Sequence, residues 1–369
     1  MRSDTMRAPL GGPAAWTGAD LEPSQDWIWH LDDNDISAID DALHSVLADG
    51  LSWHKLTPSD FPLGSFSTRA VAISKELEEG RGIVLLRGLP VERYDAEALK
   101  IIHYGIACHL GTPIYQSAGG ELIGEITDEG AAALDRGTLQ KAGDAQPFLS
   151  SRARVQTTGP LRFHTDRADV VALLCAEQSV AGGLSQIVSA VAIHDAMLER
   201  RPDLLEELFR DLPRSRLGEE KDGGKAYYML PVFAVQNGHF TTHYSRTYVE
   251  AGQKVDEVPR VSDAQWQALD LLQDLGHELC LTHRFEPGDI QYLNNHVLYH
   301  ARTAYEDATV DGSSLPGHGK RLLYRMWLSM PNSRPLPASH AVLFGDTGPG
   351  ALRGGIRQAD GSNVPAGSA

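Results

Sequence analysis

The chain has 369 residues and carries 33 Lys and Arg against 49 Asp and Glu, a formal net charge of −16 at pH 7. This acidity disfavours a nucleic-acid surface, because phosphate binding depends on clustered cations. No apolar run approaches the roughly 18 residues that cross a bilayer, and the polar N-terminus lacks the hydrophobic core of a signal peptide. Cys108, Cys175 and Cys280 lie far apart in apolar segments, so we expect reduced thiols in a cytoplasmic protein and no cysteine-rich zinc site.

The first half of the chain is predicted to be helical around one buried strand. Apolar residues recur at helical spacing over 35–47, 69–79 and 96–110, and the apolar run at 82–88 predicts a strand. Residues 1–20 are polar and contain Pro and Gly, which predicts a flexible tail. Residues 124–160 show no clear periodicity; we predict an active-site loop, and an ordinary disordered insertion is the alternative.

The second half alternates strands and helices. Tyr244, Arg246 and Tyr248 share one face of the hairpin predicted at 232–248, if its second strand is regular. A Pro-Gly-Asp turn precedes a strand at 290–293. Residues 345–369 are rich in Gly, Ala, Ser and Pro and predict a second flexible tail. The other elements are strands at 170–176 and 320–328 and helices at 189–197, 202–209 and 263–275.

Two separated fragments supply candidate metal ligands. His164 and Asp166 are two residues apart, so in an extended chain they project to the same face, just before the strand at 170–176. A single His-X-Asp triplet is weak evidence in a chain with 15 His. His300, on an extended segment near the end, completes a set of two imidazoles and one carboxylate. That set is typical of a non-haem Fe(II) site with three open positions, and we expect His296 and Tyr299 to support it by packing.

A second pattern is a pair of arginines on the last predicted strand. Arg321 and Arg325 are four residues apart and lie on one strand face, among Leu, Met and Trp neighbours that argue against an exposed ion-pairing face. Buried cations are costly unless an anion meets them, and a dicarboxylic cosubstrate would do so through a bidentate guanidinium contact. For Arg302 we expect pairing with Glu306 or Asp307.

With these motifs the sequence resembles the 2-oxoglutarate-dependent Fe(II) dioxygenases of the taurine dioxygenase and TfdA type, with clavaminate synthase-like relatives. The likeness covers about 82–337. It implies a mainly β fold, with a double-stranded β-helix (jelly roll) core, flanking helices and a long insertion between core strands, in one domain spanning 1–369. The motifs that carry it are His164-X-Asp166, Asn294-Asn295 leading to His300, Arg321-X-X-X-Arg325, and Gly182-Gly183-Leu184-Ser185, which matches the family's Gly-Gly-X-Thr/Ser turn.

The resemblance also implies roles for individual residues. The loop inserted at 307–320 leaves open whether Arg321 or Arg325 is the main anchor of 2-oxoglutarate. By position, the resemblance implies that the iron ligands and catalytic centre are His164, Asp166 and His300. It implies that Arg321 and Ser185 contact 2-oxoglutarate and that Arg325 touches cosubstrate or substrate. The candidate substrate contacts are Tyr115, Gln116 and Arg246.

The implied cofactors are Fe(II), 2-oxoglutarate and O2, with 2-oxoglutarate decarboxylated to succinate and CO2 while a small molecule is oxidised. A carboxylate at Asp166, where halogenases have a small residue, favours hydroxylation, and desaturation, cyclisation and epoxidation stay open. A Zn or Mn jelly-roll hydrolase or isomerase is one alternative, which the arginine pair and Ser185 argue against. A non-catalytic jelly-roll binding protein is another, disfavoured by the full ligand set. The substrate and homo-oligomerisation stay open, because a fold does not choose them.

Overall fold

The computed structural model of the protein describes residues 8–130, 154–216, 225–308 and 319–365, with the backbone of 138–139 and 148–149. The fold is rich in sheet, with helices packed against it. The strands are β1 (Ile28–His30), β2 (Ile83–Arg87), β3 (Thr112–Ile114), β4 (Gly124–Ile126), β5 (Thr138–Leu139), β6 (Phe148–Leu149), β7 (Leu161–His164), β8 (Val170–Glu177), β9 (Ala181–Gly182), β10 (Ser185–Ser189), β11 (Leu212–Ser215), β12 (Tyr227–Leu230), β13 (Phe233–Gln236), β14 (His239–Thr242), β15 (Leu281–His283), β16 (Ile290–Asn294), β17 (Leu298–Arg302), β18 (Tyr305–Glu306) and β19 (Leu322–Ser329). The α-helices are α1 (Gly18–Ser24), α2 (Asp33–Ala48), α3 (Ser67–Glu79), α4 (Ala96–Cys108), α5 (Ala190–Arg200), α6 (Pro202–Leu208), α7 (Arg246–Gly252), α8 (Asp263–Leu279) and α9 (Ala341–Phe344).

The larger sheet has seven strands in the order β1-β2-β16-β8-β19-β3, with β4 also paired to β19. Strand β8 lies inside it, antiparallel to both β16 and β19. Because successive side chains of a strand point to opposite faces, Val171 and Cys175 enter one hydrophobic core, whereas Val170, Ala172 and Leu174 enter another. Burial on both faces explains why this segment is a continuous apolar run.

Helices α2, α3 and α4 cover the second of these cores, with Ile39, Leu43, Ile73 and Ile102 among its buried members. Each of these helices coincides with a segment that helical spacing predicted, so these predictions are confirmed. Helix α2 begins where Asp32 accepts hydrogen bonds from the main-chain N–H groups that follow it, a capping arrangement that satisfies donors left free at a helix start. None of the described helices is long and apolar enough to cross a membrane.

The smaller sheet has four strands in the order β15-β10-β17-β7. It contributes to the first core, which also receives side chains from α5, α6 and α8. Strands β7 and β17 are neighbours, and their register places His164 opposite His300. This pairing, between strands far apart in sequence, positions the candidate metal centre.

The predicted hairpin exists but is shorter than expected. Strands β13 and β14 are joined by Asn237 and Gly238, whose φ angles of 52° and 82° fit the two-residue turn that matches strand twist. The second strand ends at Thr242, and helix α7 begins at Arg246. The expectation that Tyr244, Arg246 and Tyr248 share a strand face is therefore wrong. An Arg246–Glu250 ion pair at i,i+4 supports the helix instead.

The described parts of both predicted tails are packed. Leu10 and Gly11 donate main-chain hydrogen bonds to the Asp195 carboxylate at 2.7 and 3.0 Å, and Trp16 lies in the first core. At the other end, Arg353 is fully buried. The prediction of flexible tails is thus wrong for 8–20 and 345–365, because long-range hydrogen bonds hold segments whose composition indicates flexibility. Of the predicted loop at 124–160, β4 belongs to the larger sheet, and most of 131–153 lies outside the described residues.

The three cysteines are free thiols, as expected. Burial raises the pKa of both Cys108 and Cys175 to about 12. A thiol with such a pKa is protonated at neutral pH and a poor metal ligand. Cys108 and Cys175 therefore belong to the packing of the fold.

Candidate functional site

The structure brings together the three predicted metal ligands. The His164 and His300 rings have centroids 4.2 Å apart. Asp166 lies just beyond β7, with Oδ1 4.0 Å from His164 Nε2 and Oδ2 3.7 Å from His300 Nε2. One candidate ligand atom from each residue lies within 4.8 Å of the other two. Two imidazole nitrogens and one carboxylate oxygen therefore surround a single point.

Neighbouring groups orient this cluster. His164 Nδ1 faces the Arg162 carbonyl oxygen at 2.9 Å; as a donor there, it leaves Nε2 free for a metal, the usual arrangement around ligating histidines. The Asp166 main-chain N–H donates to Asn295 Oδ1 at 3.0 Å. Asp166 Oδ2 is buried without a hydrogen-bond partner among the described residues. Such an oxygen is rare in a folded protein, and a metal ion would satisfy it.

The protonation states also suit a metal. Burial, with a smaller contribution from His164, lowers the pKa of His300 to about 3, and burial lowers the pKa of His164 as well. For Asp166, burial acts to raise the pKa, but Arg325 and the two imidazoles outweigh it and hold the pKa below the ordinary value. The site thus offers neutral imidazoles and an ionised carboxylate, the forms that bind metal ions.

Arg321, immediately before β19, is a buried cation with unused donors. Its residue is 3% exposed, and its Nε and Nη1 have no hydrogen-bond partner in the described part of the chain. The guanidinium carbon lies 5.3 Å from the Tyr305 ring centroid. A Cβ at Gly183 would lie 3.2 Å from Arg321 Nε, so a glycine there leaves room beside the guanidinium. Ser185, two residues further, is also buried.

Arg325 differs from Arg321 because it is already engaged. Its Nε donates to Gln116 Oε1 at 2.7 Å, and its Nη1 lies 3.7 Å from Asp166 Oδ1. Gln116 is held in turn by donating to the carbonyls of Leu122 and Arg325. The structure therefore brings Gln116 and Arg325 to the metal cluster, whereas the Tyr115 side chain packs against the second core.

Two other arginines lie in different surroundings from those expected. Arg246 pairs with Glu250 at 2.9 Å and with Asp270 at 2.6 Å, so its role as a substrate contact stays a prediction. Arg302 donates to the main-chain carbonyls of Val155, Thr157 and Gly159, and the expected hydrogen-bonded pairing with Glu306 or Asp307 is absent from the described residues. A guanidinium has five donors and can satisfy several carbonyls at once.

Sequence reasoning missed two buried charged groups near the cluster. Asp169 is 2% exposed, and Arg353 donates to it from the predicted tail. The only sequence signal was local: an acid three residues after Asp166, at the start of a strand buried on both faces. Nothing near Arg353 indicated a buried position, because its Gly-rich surroundings are typical of a flexible end.

A sheet-rich fold that places a His-X-Asp…His cluster beside two arginines, one just before β19 and one on it, defines a candidate mononuclear metal enzyme. The model of the family "Taurine catabolism dioxygenase TauD, TfdA family" matches residues 52–327, and the chain belongs to this family. The resemblance indicated by the sequence motifs is therefore confirmed.

Two curated relatives are similar over most of their length. FR-33289 synthase of Streptomyces rubellomurinus is 28% identical over 341 residues, which cover 91% of this chain and 95% of the relative. The taurine hydroxylase-like protein SAT17 of Stachybotrys chartarum is 27% identical over 313 residues, which cover 83% of this chain and 77% of the relative.

Solved structures agree on the fold. Asparagine oxygenase in complex with Fe(II), 3-hydroxyasparagine and succinate has a TM-score of 0.58 at 16% identity, covering 85% of this chain and 98% of that one. The non-heme iron oxygenase OrfP with Fe and alpha-ketoglutaric acid has a TM-score of 0.57 at 14% identity, and the match covers 82% of this chain and 93% of OrfP. The architecture is thus shared with iron oxygenases.

Proposed function

We propose that this protein is an Fe(II)- and 2-oxoglutarate-dependent dioxygenase that uses O2 to hydroxylate a small-molecule substrate, with 2-oxoglutarate converted to succinate and CO2. Family membership supports the reaction class. Asp166 supports hydroxylation over halogenation, because it retains the carboxylate ligand. Bound Fe(II) would supply three open coordination positions, two for the 2-oxo acid and one for O2.

For the metal, we propose His164, Asp166 and His300 as the ligands. Two observations support this set: the three donor atoms converge, and the buried Asp166 Oδ2 has no hydrogen-bond partner in the described residues. The Arg162 carbonyl and the Asn295 amide fix the orientation of the first two ligands. These contacts keep the donors aimed at one point before any metal arrives.

The burial of Arg321, with two nitrogens that lack hydrogen-bond partners among the described residues, is the observation that best supports 2-oxoglutarate as the cosubstrate. A nearly fully buried guanidinium with two unused nitrogens is costly, and a carboxylate would relieve the cost through charge-assisted hydrogen bonds. We therefore infer that Arg321 binds the distal carboxylate of 2-oxoglutarate, with Ser185 as the second contact. A Zn or Mn hydrolase needs no group that binds a dicarboxylate, so Arg321 would have no role in it. A non-catalytic protein would need neither Arg321 nor the three converging ligands.

Arg325 is better placed for the substrate. Gln116 fixes its Nε, and the side chain stays 17% exposed beside Asp166, which leaves donors available for an acidic group. We propose that the substrate is a small molecule with an anionic group that contacts Arg325. We also propose a single jelly-roll domain over 1–369, supported by the two cores that share strand β8.

The proposal is tested by spectroscopy without turnover. Purified protein given Fe(II) and 2-oxoglutarate under anaerobic conditions should show the weak visible charge-transfer band of the chelate. His300→Ala should abolish the band, whereas His277→Ala, at an exposed position of α8, should retain it. If the intact protein shows no band, the cosubstrate assignment is wrong.

A further inference from the structure

The C-terminal segment 351–363, called the strap here, runs across the protein beside the metal cluster. Gly355 N–H donates to the Arg167 carbonyl at 2.8 Å, one residue after the ligand Asp166. Ile356 N–H donates to the Tyr115 carbonyl at 2.7 Å, and Tyr115 N–H donates to the Asn363 carbonyl at 2.9 Å. The strap therefore joins the loop that carries Asp166 to the segment that carries Gln116.

Two glycines make this close approach possible. Gly354 has φ +78°, and a Cβ there would lie 2.7 Å from the Arg167 carbonyl oxygen. Gly355 has φ +68°, and its Cβ would lie 2.8 Å from the Tyr115 carbonyl oxygen. Both positions combine a left-handed backbone with no space for a side chain, which only glycine accommodates without strain. The strap is thus fitted to the loop by its sequence.

Arg353 places a charge beneath the strap. Its Nε donates to Asp169 Oδ1 at 2.7 Å, and the residue is 0% exposed. His296 Nε2 meets the same oxygen at 2.7 Å, and the Met330 N–H donates to Oδ2 at 2.9 Å. Burial lowers the pKa of His296 to about 4, so this imidazole is neutral, and among the described residues Arg353 supplies the positive charge that Asp169 contacts.

Asp169 connects the two chain segments that carry the metal ligands. Its carbonyl accepts the Asn295 N–H at 2.9 Å, and Asn295 Oδ1 accepts the Asp166 N–H at 3.0 Å. His296, also bonded to Asp169, lies on the turn that leads into β17 and His300. The side chain and main chain of one buried acid thus set the spacing between the loop of Asp166 and the strand of His300.

We propose that Arg353 is a positioning residue for the metal centre. By neutralising Asp169 under the strap, it holds the loop of Asp166 against residues 294–296, and this fixes the Asp166 carboxylate relative to the two imidazoles. The inference rests on the proposed metal site. Without the guanidinium, Asp169 is a buried anion with no cation, so its contacts to His296 and Met330 rearrange and the ligand geometry loosens.

The test is Mn(II) affinity, since Mn(II) binds the same type of site without turnover. Metal-free protein is titrated with Mn(II), and free Mn(II) is followed by electron paramagnetic resonance. Arg353→Met should weaken binding by about 10- to 100-fold, the range found when groups that orient metal ligands are removed. Arg353→Lys keeps the charge but not the planar fork, so its affinity should fall between wild type and Arg353→Met.

Leu43→Ala is the matched control, because Leu43 is buried in helix α2 within the second core. It should lower the unfolding temperature yet leave Mn(II) affinity unchanged. Equal affinity in wild type and Arg353→Met overturns the inference, as does an equal loss in Leu43→Ala. If Arg353→Met does not fold, Arg353→Lys decides, and wild-type affinity there overturns the inference. Failure of the wild type to bind Mn(II) would refute the proposed function instead.

Discussion

Arg321→Met should have opposite effects on stability and on cosubstrate binding. Arg321 is 3% exposed, and its Nε and Nη1 lack partners in the described residues. Methionine has a similar reach but carries no charge to desolvate, so the free energy of unfolding without 2-oxoglutarate should stay unchanged or rise by about 1–3 kcal/mol. Loss of charge-assisted hydrogen bonds to the carboxylate should cost about 1.5–3 kcal/mol of binding, or about 10- to 150-fold in Kd.

Urea unfolding with Mn(II) present, with and without 2-oxoglutarate, measures both effects at once. At 2-oxoglutarate about 100 times the wild-type Kd, the wild type should gain about 2.7 kcal/mol. A variant whose Kd is about 100-fold higher should gain only about 0.4 kcal/mol at the same concentration. Circular dichroism follows the unfolding transition.

Arg325→Met is the matched control, because it removes the neighbouring arginine on β19 and leaves Arg321 in place. It should keep most of the stabilisation by 2-oxoglutarate, since Gln116 already engages Arg325. If 2-oxoglutarate stabilises Arg321→Met as strongly as the wild type, Arg321 does not bind the cosubstrate. If Arg325→Met alone loses the effect, Arg325 is the main anchor.

Two further predictions concern stability. Burial lowers the pKa of His103 to about 3. As the pH falls, the unfolded chain therefore takes up the His103 proton before the folded chain does, and this difference favours unfolding. The contribution of neutral His103 to the free energy of unfolding is complete above about pH 6.5 and is lost as the pH falls towards 3, by up to about 1.4 kcal/mol per pH unit. Urea unfolding of His103→Leu between about pH 7 and pH 5 should show a flatter dependence than wild type, and an unchanged slope would contradict the assignment. Gly354→Ala should destabilise more than Gly361→Ala, because both glycines have positive φ but only at Gly354 would a Cβ meet other atoms within 4 Å, the nearest being the Arg167 carbonyl oxygen at 2.7 Å. Equal unfolding midpoints for the two variants would show that the contact is not tight.

Local patterns predicted much of the fold. Helical spacing located α2, α3 and α4, because an amphipathic helix must bury one stripe whatever the rest of the chain does. The apolar run of β8 indicated a strand buried on both faces, and both of its faces indeed enter a core. The hairpin prediction failed past Thr242, since even spacing of Tyr244, Arg246 and Tyr248 is compatible with a strand but does not require one.

Partners of long charged side chains were beyond prediction. Arg302 and Arg246 each have several acids within a few residues or one strand away, and the sequence does not show which of these acids each arginine would pair with. In the structure Arg302 binds main-chain carbonyls and Arg246 binds Glu250 and Asp270. Such choices depend on which backbone atoms happen to be left free in three dimensions.

The sequence by itself determined the types of the candidate ligands and one local spacing: His164 and Asp166 two residues apart, with His300 and the two arginines following in order. These features are readable because strand geometry turns a spacing of two into a shared face. Only the tertiary structure decided that β7 pairs with β17, that Arg321 is left without partners in the described residues, and that Arg353 returns from 184 residues away to meet Asp169. Long-range pairing depends on the packing of the whole chain, which no local pattern encodes.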